Sequence, residues 1–265
     1  MAVGRRRSEV RAREIVVAAD PAALAHMAAD HFTRLAGESV ARAGRFTLAL
    51  AGGSTPERLY ALLAVEPYRS CIPWGATHVF WGDERCVPPG HAESNYRMAT
   101  KTLIRHVPIP RQQIHRMRGE DPDVDQASAE YERELREAFG LQAGGIPRFD
   151  LILLGMGRDG HAASLFPGSP ALREVTRLVV APYVDRLQTY RLTLTLPVLN
   201  AAREALFLVS GRDKALMLRS VLDGPRGTDP PPARLVSPRD GIVTWLIDLD
   251  AAHLLERSAT RRDPG

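Results

Sequence analysis

Residues suited to acid–base chemistry stand together in the glycine-rich segment GMGRDGH at positions 155–161. The segment follows the apolar run 151–154, so we expect a buried strand that gives way to a helix there. Histidine takes up and returns protons near neutral pH, which makes His161 the candidate general base. Asp159 is predicted either to orient and tune that imidazole or to cap the helix. The alternative for His161 itself is a capping or packing role.

A second loop, AGGSTP at positions 51–56, has the composition of an anion-binding site. Gly52 and Gly53 let the backbone turn sharply and approach a ligand closely. Ser54 and Thr55 present hydroxyl and N–H groups at the expected start of a helix, where unpaired donors favour negative charge. The loop matches neither a Walker P-loop nor a dinucleotide fingerprint, so a phosphate monoester is the expected ligand. A tight turn with a Ser/Thr cap is the alternative.

Arg85 and the two lysines are the cations that stand out. Arg85 ends the third candidate loop, 82–85, which follows a predicted strand, and two acids, Asp83 and Glu84, precede it. It either grips a phosphate through two parallel hydrogen bonds or pairs with those neighbours. Of the 35 Lys and Arg residues, two are lysines, Lys101 and Lys214. A lysine kept in so arginine-rich a chain suggests a site that needs a compact point charge.

The elements that position these loops alternate between strands and helices. Strands are predicted at 14–19, 46–51, 78–81, 151–154, 178–180, 191–195, 205–209 and 242–247. Helices are predicted at 21–43, 57–65, 95–105 and 125–139. Because several strands are continuous Leu, Val and Ile runs, we predict a Rossmann-like α/β fold with a mostly parallel sheet covered on both faces. Ligands of such folds bind beyond the carboxyl ends of strands, where the three loops lie.

The chain is predicted to form a single domain over residues 14–256, with a basic N-terminal tail, 1–13, and a C-terminal tail, 257–265. Residues 223–232 are rich in Pro and Gly and are expected to form a surface loop. The formal net charge is +4 and the pI about 9.4, but much of the surplus lies in the two tails. No aromatic residues interleave with the tail arginines, so we expect solvated tails and no nucleic-acid partner.

The composition also argues against other classes of protein. A hydrophobic fraction of 45% with 25% charged residues is typical of a globular protein with a sizeable core. No apolar run approaches the roughly 20 residues of a membrane span, and residues 1–13 lack the apolar region of a signal peptide. Cys71 and Cys86 have no metal-ligand spacing and suit a reducing compartment. We therefore expect a cytoplasmic protein that needs no metal and no cofactor.

Six short motifs stand in order between about residues 15 and 255: AGGSTP (51–56), WGDER (81–85), ESNY (93–96), GMGRDGH (155–161), SLFP (164–167) and VSG followed by KA (209–215). In content and spacing they resemble the 6-phosphogluconolactonases of the pentose phosphate pathway. The resemblance implies a sheet of the type shared with glucosamine-6-phosphate deaminases and ribose-5-phosphate isomerases. It also implies a lactonase that needs no metal.

The resemblance further implies hydrolysis of 6-phospho-D-glucono-1,5-lactone to 6-phosphogluconate, with His161 activating water. Phosphate binding is implied for the loop 53–55, Arg85 and Lys214, and Arg191 is implied to lie near the site. For Lys214 the alternative is an exposed surface lysine, and for Arg191 a salt bridge at the strand edge. Asp83 is a further candidate for substrate binding. Asn95 either touches substrate or supports the loop as a helix cap.

Two other functions remain as alternatives. The first is a sugar-phosphate deaminase or isomerase of the same fold. Deaminases that resemble this chain carry an acidic residue in an Asn-Glu-Pro segment after the Asp-Gly-His loop, whereas residues 165–167 here read Leu-Phe-Pro. The second is a sugar-phosphate sensor without catalysis, which would normally carry an added partner domain. The leading expectation is a monomeric enzyme whose partner is a sugar-phosphate lactone.

Overall fold

The computed structural model describes residues 13–224, 229–255 and 261–262. Its strands are β1 (Arg13–Ala18), β2 (Phe46–Leu50), β3 (Thr77–Trp81), β4 (Asp83–Arg85), β5 (Leu151–Leu154), β6 (Val179–Val180), β7 (Tyr183–Val184), β8 (Thr189–Leu194), β9 (Glu204–Val209), β10 (Ile242–Asp248) and β11 (Arg261–Arg262). Its α-helices are α1 (Pro21–Ala43), α2 (Ser54–Leu63), α3 (Tyr68–Cys71), α4 (Asn95–Thr102), α5 (Val124–Phe139), α6 (Leu196–Leu199), α7 (Ala215–Asp223) and α8 (Pro232–Leu235). None of these helices is long and apolar enough to cross a membrane.

The main sheet has the strand order β11-β1-β10-β9-β5-β2-β3 over the described residues, and every pairing in it is parallel. Strands β2, β5 and β9 are buried at every position, which requires cover on both faces of the sheet. Helix α1 packs against β1, β2 and β10. The predicted α/β fold, a doubly covered parallel sheet in a single domain, is confirmed.

The local signals at the ends of α1 are also confirmed. Asp20 is the N-cap, and its carboxylate accepts hydrogen bonds from the N–H groups of Ala22 and Ala23, both at 2.8 Å. Gly44 ends the helix in the left-handed region with φ of 70°, a conformation that glycine adopts without steric cost. These caps fix where the chain leaves α1 and enters β2, the strand that carries the anion-binding loop.

A second, smaller sheet was not predicted. It has the order β4-β8-β6 with β7 also paired to β8, and its pairings are antiparallel. The prediction that Gly82–Arg85 forms a loop is wrong for Asp83–Arg85, which is β4. The Gly82 N–H donates to the Leu50 carbonyl at 2.9 Å, so the chain pairs once with β2 before β4 pairs with β8. The second sheet therefore lies beside the carboxyl edge of the main one.

The helix expected after the segment 155–161 is also absent from the described residues. Turns follow instead, with an isolated bridge between Ala162 and Leu165 and then a short 3₁₀ turn, Pro170–Arg173. Pro167 cannot donate to a helix, and Gly168 takes a left-handed φ of 74°, which together explain why no helix forms. The backbone therefore turns around His161 instead of continuing as a helix.

The observed elements differ slightly from the predicted domain bounds. β1 begins at Arg13, within the predicted N-terminal tail, and β11 pairs with β1 within the predicted C-terminal tail. The remainder of both tails lies outside the described residues. So does part of the predicted loop 223–232, which connects α7 to α8.

Candidate active site

The candidate loops meet at one edge of the main sheet. Strands β9, β5, β2 and β3 are neighbours in that order, and parallel strands present their carboxyl ends together. The chain leaves β2 for β3 on one side and later returns to β5 on the other, so the strand order reverses here. Such a switch point is where open α/β sheets hold ligands. A cavity of about 220 Å³ opens at this place.

The cavity brings together all but two of the predicted site residues. Those that line it are Gly52, Gly53, Ser54, Thr55, Asp83, Arg85, Asn95, His161 and Lys214. Asp159 lies behind His161, and Arg191 lies beside Arg85. Residues up to 162 positions apart in sequence, from Gly52 to Lys214, thus share one small volume.

The side chains of Asp159 and His161, here called the acid–base pair, are in direct contact. The Nδ1 of His161 lies 2.6 Å from Oδ1 of Asp159, and the His161 backbone N–H also donates to that oxygen at 3.3 Å. An ionised carboxylate only accepts, so Nδ1–H is the donor in this contact, and in the neutral imidazole the lone pair is then on Nε2. Of the two roles predicted for Asp159, the geometry matches orientation of the imidazole, because no helix follows for it to cap.

Gly157 makes that contact possible. A Cβ on Gly157 would stand 2.0 Å from Nδ1 of His161 and 2.4 Å from Oδ1 of Asp159, well inside van der Waals contact. The Gly157 N–H donates to the His161 carbonyl at 2.9 Å, which closes the loop. Gly160, at φ of 81°, supplies the left-handed turn between Asp159 and His161. The glycines noted in the sequence therefore serve the placement of the imidazole.

The electrostatics favour an ionised Asp159. Burial acts to raise the pKa of Asp159, but the nearby imidazole, its hydrogen bonds and the guanidinium of Arg186 outweigh burial. The pKa of Asp159 consequently lies below its ordinary value, and the carboxylate stays charged beside His161.

The N-terminus of α2 faces the same cavity, and no side chain caps it. Gly53 is the N-cap residue with φ of 107°. Its first N–H groups, at Ser54 and Thr55, stand where the cavity is lined by hydroxyls. This arrangement suits a small anion, because both the unpaired donors and the helix dipole favour negative charge.

Lys214 reaches the cavity from a turn that Asp248 fixes. The turn, Arg212–Lys214, follows β9, and Gly211 enters it at φ of 102°. Asp248, only 1% exposed, accepts hydrogen bonds from the Ser210 hydroxyl at 2.5 Å and from the N–H of Gly211 at 3.1 Å. Sequence reasoning missed Asp248, since nothing local marks the end of β10 as a support for this turn.

Arg85 and Arg191 face each other across the second sheet. They are register partners in the β4–β8 pair, where like charges repel. Burial and the nearby Arg85 lower the pKa of Arg191. Arg85 donates to the Glu93 carbonyl, and Arg191 donates to the Tyr190 carbonyl at 3.1 Å. Across the described part of the chain neither guanidinium has a salt bridge, so the ion pair of Arg85 with Asp83 or Glu84 is not formed.

Asp83 and Asn95 form the floor of the site. The Asn95 side-chain amide donates to the Asp83 carbonyl at 2.9 Å, and its Oδ1 lies where a Cβ on Gly52 would stand, 1.9 Å away. Ser94, rather than Asn95, is the N-cap of α4. The Ser164 hydroxyl donates to Oδ2 of Asp83 at 2.7 Å. Ser164 lies in the SLFP motif, but nothing local in the sequence marks it as a partner of Asp83.

Glu84 plays a supporting role that the sequence did not reveal. Its carboxylate is 2% exposed and accepts hydrogen bonds from the N–H groups of Asn95 and Tyr96, both at 2.7 Å. Burial raises the pKa of Glu84, although these hydrogen bonds oppose the rise. Glu84 therefore anchors the start of α4, which fixes Asn95 beneath the cavity.

Within residues 13–224, 229–255 and 261–262, no group of three or more His, Cys, Asp or Glu side chains is placed to hold a metal ion. The cavity wall carries one carboxylate, that of Asp83, and one imidazole, that of His161, among hydroxyls, amides and cations, which is fewer than the three or four ligands of a usual metal site.

A family model described as glucosamine-6-phosphate isomerases/6-phosphogluconolactonase matches residues 19–245. The chain belongs to this family. A 6-phosphogluconolactonase of Synechocystis sp. is 43% identical over 218 residues, which is 82% of this chain and 88% of that protein. The human 6-phosphogluconolactonase is also 43% identical over 218 residues, covering 80% of this chain and 81% of its own. The resemblance inferred from the motifs is confirmed.

The fold of the family is found here as well. A solved 6-phosphogluconolactonase structure from Trypanosoma brucei superposes with a TM-score of 0.82 and 29% identity, over 93% of this chain and 100% of the other. The glucosamine-6-phosphate isomerase/6-phosphogluconolactonase fold therefore spans nearly all of the present chain.

Proposed function

We propose that this chain is a 6-phosphogluconolactonase, which hydrolyses 6-phospho-D-glucono-1,5-lactone to 6-phosphogluconate in the oxidative pentose phosphate pathway. The observation that carries the proposal is the contact of Asp159 with His161, since His161 lines a cavity together with an uncapped helix start and with cations that form no salt bridge among the described residues. The 43% identity to relatives named for this activity supports it. The reaction is hydrolysis of a carboxylic ester within a ring.

His161 is the proposed catalytic base. Its Nε2 takes a proton from a water molecule as the water oxygen attacks the lactone carbonyl carbon. Asp159, on Nδ1, stabilises the imidazolium that results. As the tetrahedral intermediate collapses, the bond from the carbonyl carbon to the ring oxygen breaks. The imidazolium then returns its proton to that oxygen, which restores the neutral base.

The phosphate is proposed to bind at the start of α2 with help from the cation group, defined as Arg85, Arg191 and Lys214. The N–H groups and hydroxyls of Ser54 and Thr55 donate to its oxygens. Arg85 and Lys214 line the same cavity and neutralise its charge. Arg191 stands behind Arg85, so an anion between or near them would relieve the repulsion of the two guanidinium groups. Asp83 and Asn95 contact the sugar ring.

The site carries an apolar ring where related deaminases have a carboxylate. Phe166 is 8% exposed, and its ring centroid lies 4.5 Å from that of His161. Phe166 cannot take up or release a proton, so the carboxylate that the resemblance places here in deaminases is missing from the proton transfers of isomerisation and deamination. Hydrolysis by a single imidazole fits this arrangement better than isomerisation or deamination.

The proposal also covers the cellular compartment and the oligomeric state. The enzyme is proposed to work in the cytoplasm, since Cys71 and Cys86 are both free thiols.

The enzyme is also proposed to act as a monomer, because the loops of one chain supply every group that the mechanism uses. Light scattering on the purified protein should give a mass near 29.1 kDa. A mass twice as large would contradict the monomer.

The direct test of function is an assay with freshly generated 6-phosphogluconolactone, coupled to 6-phosphogluconate dehydrogenase. NADPH should form faster than spontaneous hydrolysis allows. The matched control is His161→Ala at the same concentration, which should return the rate close to the spontaneous one. Glucosamine 6-phosphate, tested in parallel, should release no ammonia. A wild-type rate equal to the spontaneous rate would overturn the proposed function.

A further inference from the structure

The second oxygen of Asp159, Oδ2, is buried and accepts no hydrogen bond from the described residues, but it forms an ion pair with a guanidinium. Oδ1 faces His161, while Oδ2 lies 2.6 Å from Nη1 of Arg186. Arg186 belongs to the 3₁₀ turn Asp185–Leu187, which joins β7 to β8 in the second sheet. One carboxylate thus bridges the candidate base on the main sheet and a cation on the smaller sheet. Neither the motifs nor the proposed mechanism uses Arg186.

Phe166 adds a second anchor for the same guanidinium. The guanidinium carbon of Arg186 lies 4.6 Å from the centroid of the Phe166 ring, close enough for a cation–π contact. The imidazole of His161 packs on that ring too, with centroids 4.5 Å apart. Arg186 is therefore held by a carboxylate and by an aromatic face that both contact His161. Its Nη2 also lies 3.5 Å from Nδ1 of His161, much farther than the 2.6 Å that separates Nδ1 from Asp159.

The turn that carries Arg186 is itself fixed. Gln188 closes it, donating from its backbone N–H and from Nε2 to the Asp185 carbonyl at 3.2 Å and 2.6 Å. Gln188 takes a left-handed φ of 49°, which is uncommon for a residue other than glycine. This conformation directs the chain back into β8 and leaves Arg186 at the tip, against the loop that holds His161.

We propose that Arg186 is a positioning residue, which holds Asp159 so that Oδ1 faces Nδ1 of His161. The contact fixes the imidazole as the Nδ1–H tautomer and leaves Nε2 to accept the proton of water. The proposal rests on the proposed function insofar as His161 is the base. It adds Arg186, on a turn of the second sheet, to the residues that position His161 at the edge of the main sheet.

Arg186 does not line the cavity, unlike Arg85 and Lys214. Its removal is therefore expected to change turnover and to leave substrate binding nearly unaffected. A partly exposed ion pair that served stability alone would change neither kinetic constant. These two roles thus predict different results for kcat.

The test compares Arg186→Gln and Arg186→Lys with a matched control, Arg116→Gln. Arg116 also has a carboxylate oxygen at 2.6 Å, from Glu120, and lies over an aromatic ring, that of Tyr96, at 5.4 Å. It does not line the cavity. Loss of Arg116 thus removes the same kinds of contact without touching the acid–base pair.

We expect Arg186→Gln to lower kcat about 10- to 100-fold, the range that a misplaced catalytic group costs. KM should change less than about twofold, because the phosphate contacts remain. Arg186→Lys should recover part of kcat, since an ammonium can still reach Oδ2. Arg116→Gln should match the wild type. A kcat within twofold of wild type in Arg186→Gln, or an equal loss in both glutamine variants, would overturn the proposal.

A second measurement does not depend on activity. Side-chain ¹⁵N NMR of the free protein reports which imidazole nitrogen of His161 carries the proton in its neutral form. The wild type should show the Nδ1–H tautomer, and Arg186→Gln should show a mixture of tautomers. An unchanged tautomer in Arg186→Gln would contradict the positioning role. If the wild type had no lactonase activity but Arg186→Gln still changed the tautomer of His161, the proposed function would be overturned and the positioning role of Arg186 would be supported.

Discussion

The acid–base pair and the cation group differ in whether their charges are paired within the protein. Asp159 contacts His161 through one oxygen and Arg186 through the other, so the carboxylate is neutralised within the protein. The cation group has no salt bridge anywhere in the described ranges, although Arg85 and Arg191 stand opposite each other. In a site that must hold one geometry through a reaction, the charges are paired by other groups of the protein. A site that must bind an anion keeps its charges available for the ligand.

This contrast predicts which kinetic constant each region controls. Changes in the acid–base pair should lower kcat and leave affinity intact, whereas changes in the cation group should mainly raise KM.

Loss of the imidazole should have the largest effect. We expect His161→Ala to lower kcat by about 10²–10⁴-fold, the usual contribution of general acid–base catalysis. KM and the melting temperature should stay close to wild type. His161→Gln should perform no better, because an amide cannot accept the proton. A folded His161→Ala enzyme within a few-fold of wild-type turnover would remove His161 from the mechanism, with Asp159 or Asp83 as the next base to test.

Gly157→Ala should disturb the acid–base pair without deleting it. The new methyl group would stand 2.0 Å from Nδ1 of His161, so the imidazole must move or the loop must shift. Misplacement of about 1 Å can cost about 10²-fold in rate, and we expect kcat to fall by that order. The control is Gly37→Ala in α1, where nothing lies within 4 Å of the added Cβ. Equal activity of the two variants would show that close packing at Gly157 is unimportant.

Lys214→Ala tests the cation group. Loss of one charge-assisted contact to phosphate should cost about 2–3 kcal/mol, seen chiefly as a higher KM for the phosphorylated lactone. Arg85→Ala should behave similarly. Lys101→Ala is the matched control, because Lys101 is the other lysine of the chain and lies exposed on α4, away from the cavity. A lower kcat with unchanged KM in Lys214→Ala would contradict the division of roles.

Metal removal should have the smallest effect, namely none. The prediction follows from the donor set around the cavity, which suits an anion. Activity measured after dialysis against a strong chelator should equal that of the untreated enzyme. A loss that only a divalent ion restores would reveal a metal site that neither the sequence nor the geometry indicates.

Much of the fold and the candidate site was predictable because the signals are local. Asp20 and Gly44 mark the ends of α1, and the buried run Leu151–Leu154 is β5 as predicted. The glycine-rich loops after β2 and β5 lie at the carboxyl edge because a parallel sheet places them there. Residue types that suit phosphate and proton transfer could thus be assigned to one edge from sequence.

What could not be predicted depends on contacts between distant residues. Arg186 reaches Asp159 only after β7 and β8 fold back over the loop, and Ser164 meets Asp83 across 81 positions. Strands were predicted at 178–180 and 191–195, but the second sheet was missed because β4, β6 and β7 have only two or three residues and β4 pairs with a strand far away in sequence. The helix expected after His161 failed because Pro167 and Gly168 outweigh the βα pattern.

The most direct test of the division of roles is substrate preference. For each variant we would compare kcat/KM for 6-phosphogluconolactone with kcat/KM for unphosphorylated gluconolactone, after subtraction of spontaneous hydrolysis. His161→Ala should lower both values by the same factor and leave their ratio at the wild-type value. Lys214→Ala should reduce the ratio by about 30- to 150-fold, the equivalent of about 2–3 kcal/mol. A changed ratio in His161→Ala, or an unchanged ratio in Lys214→Ala, would contradict the account.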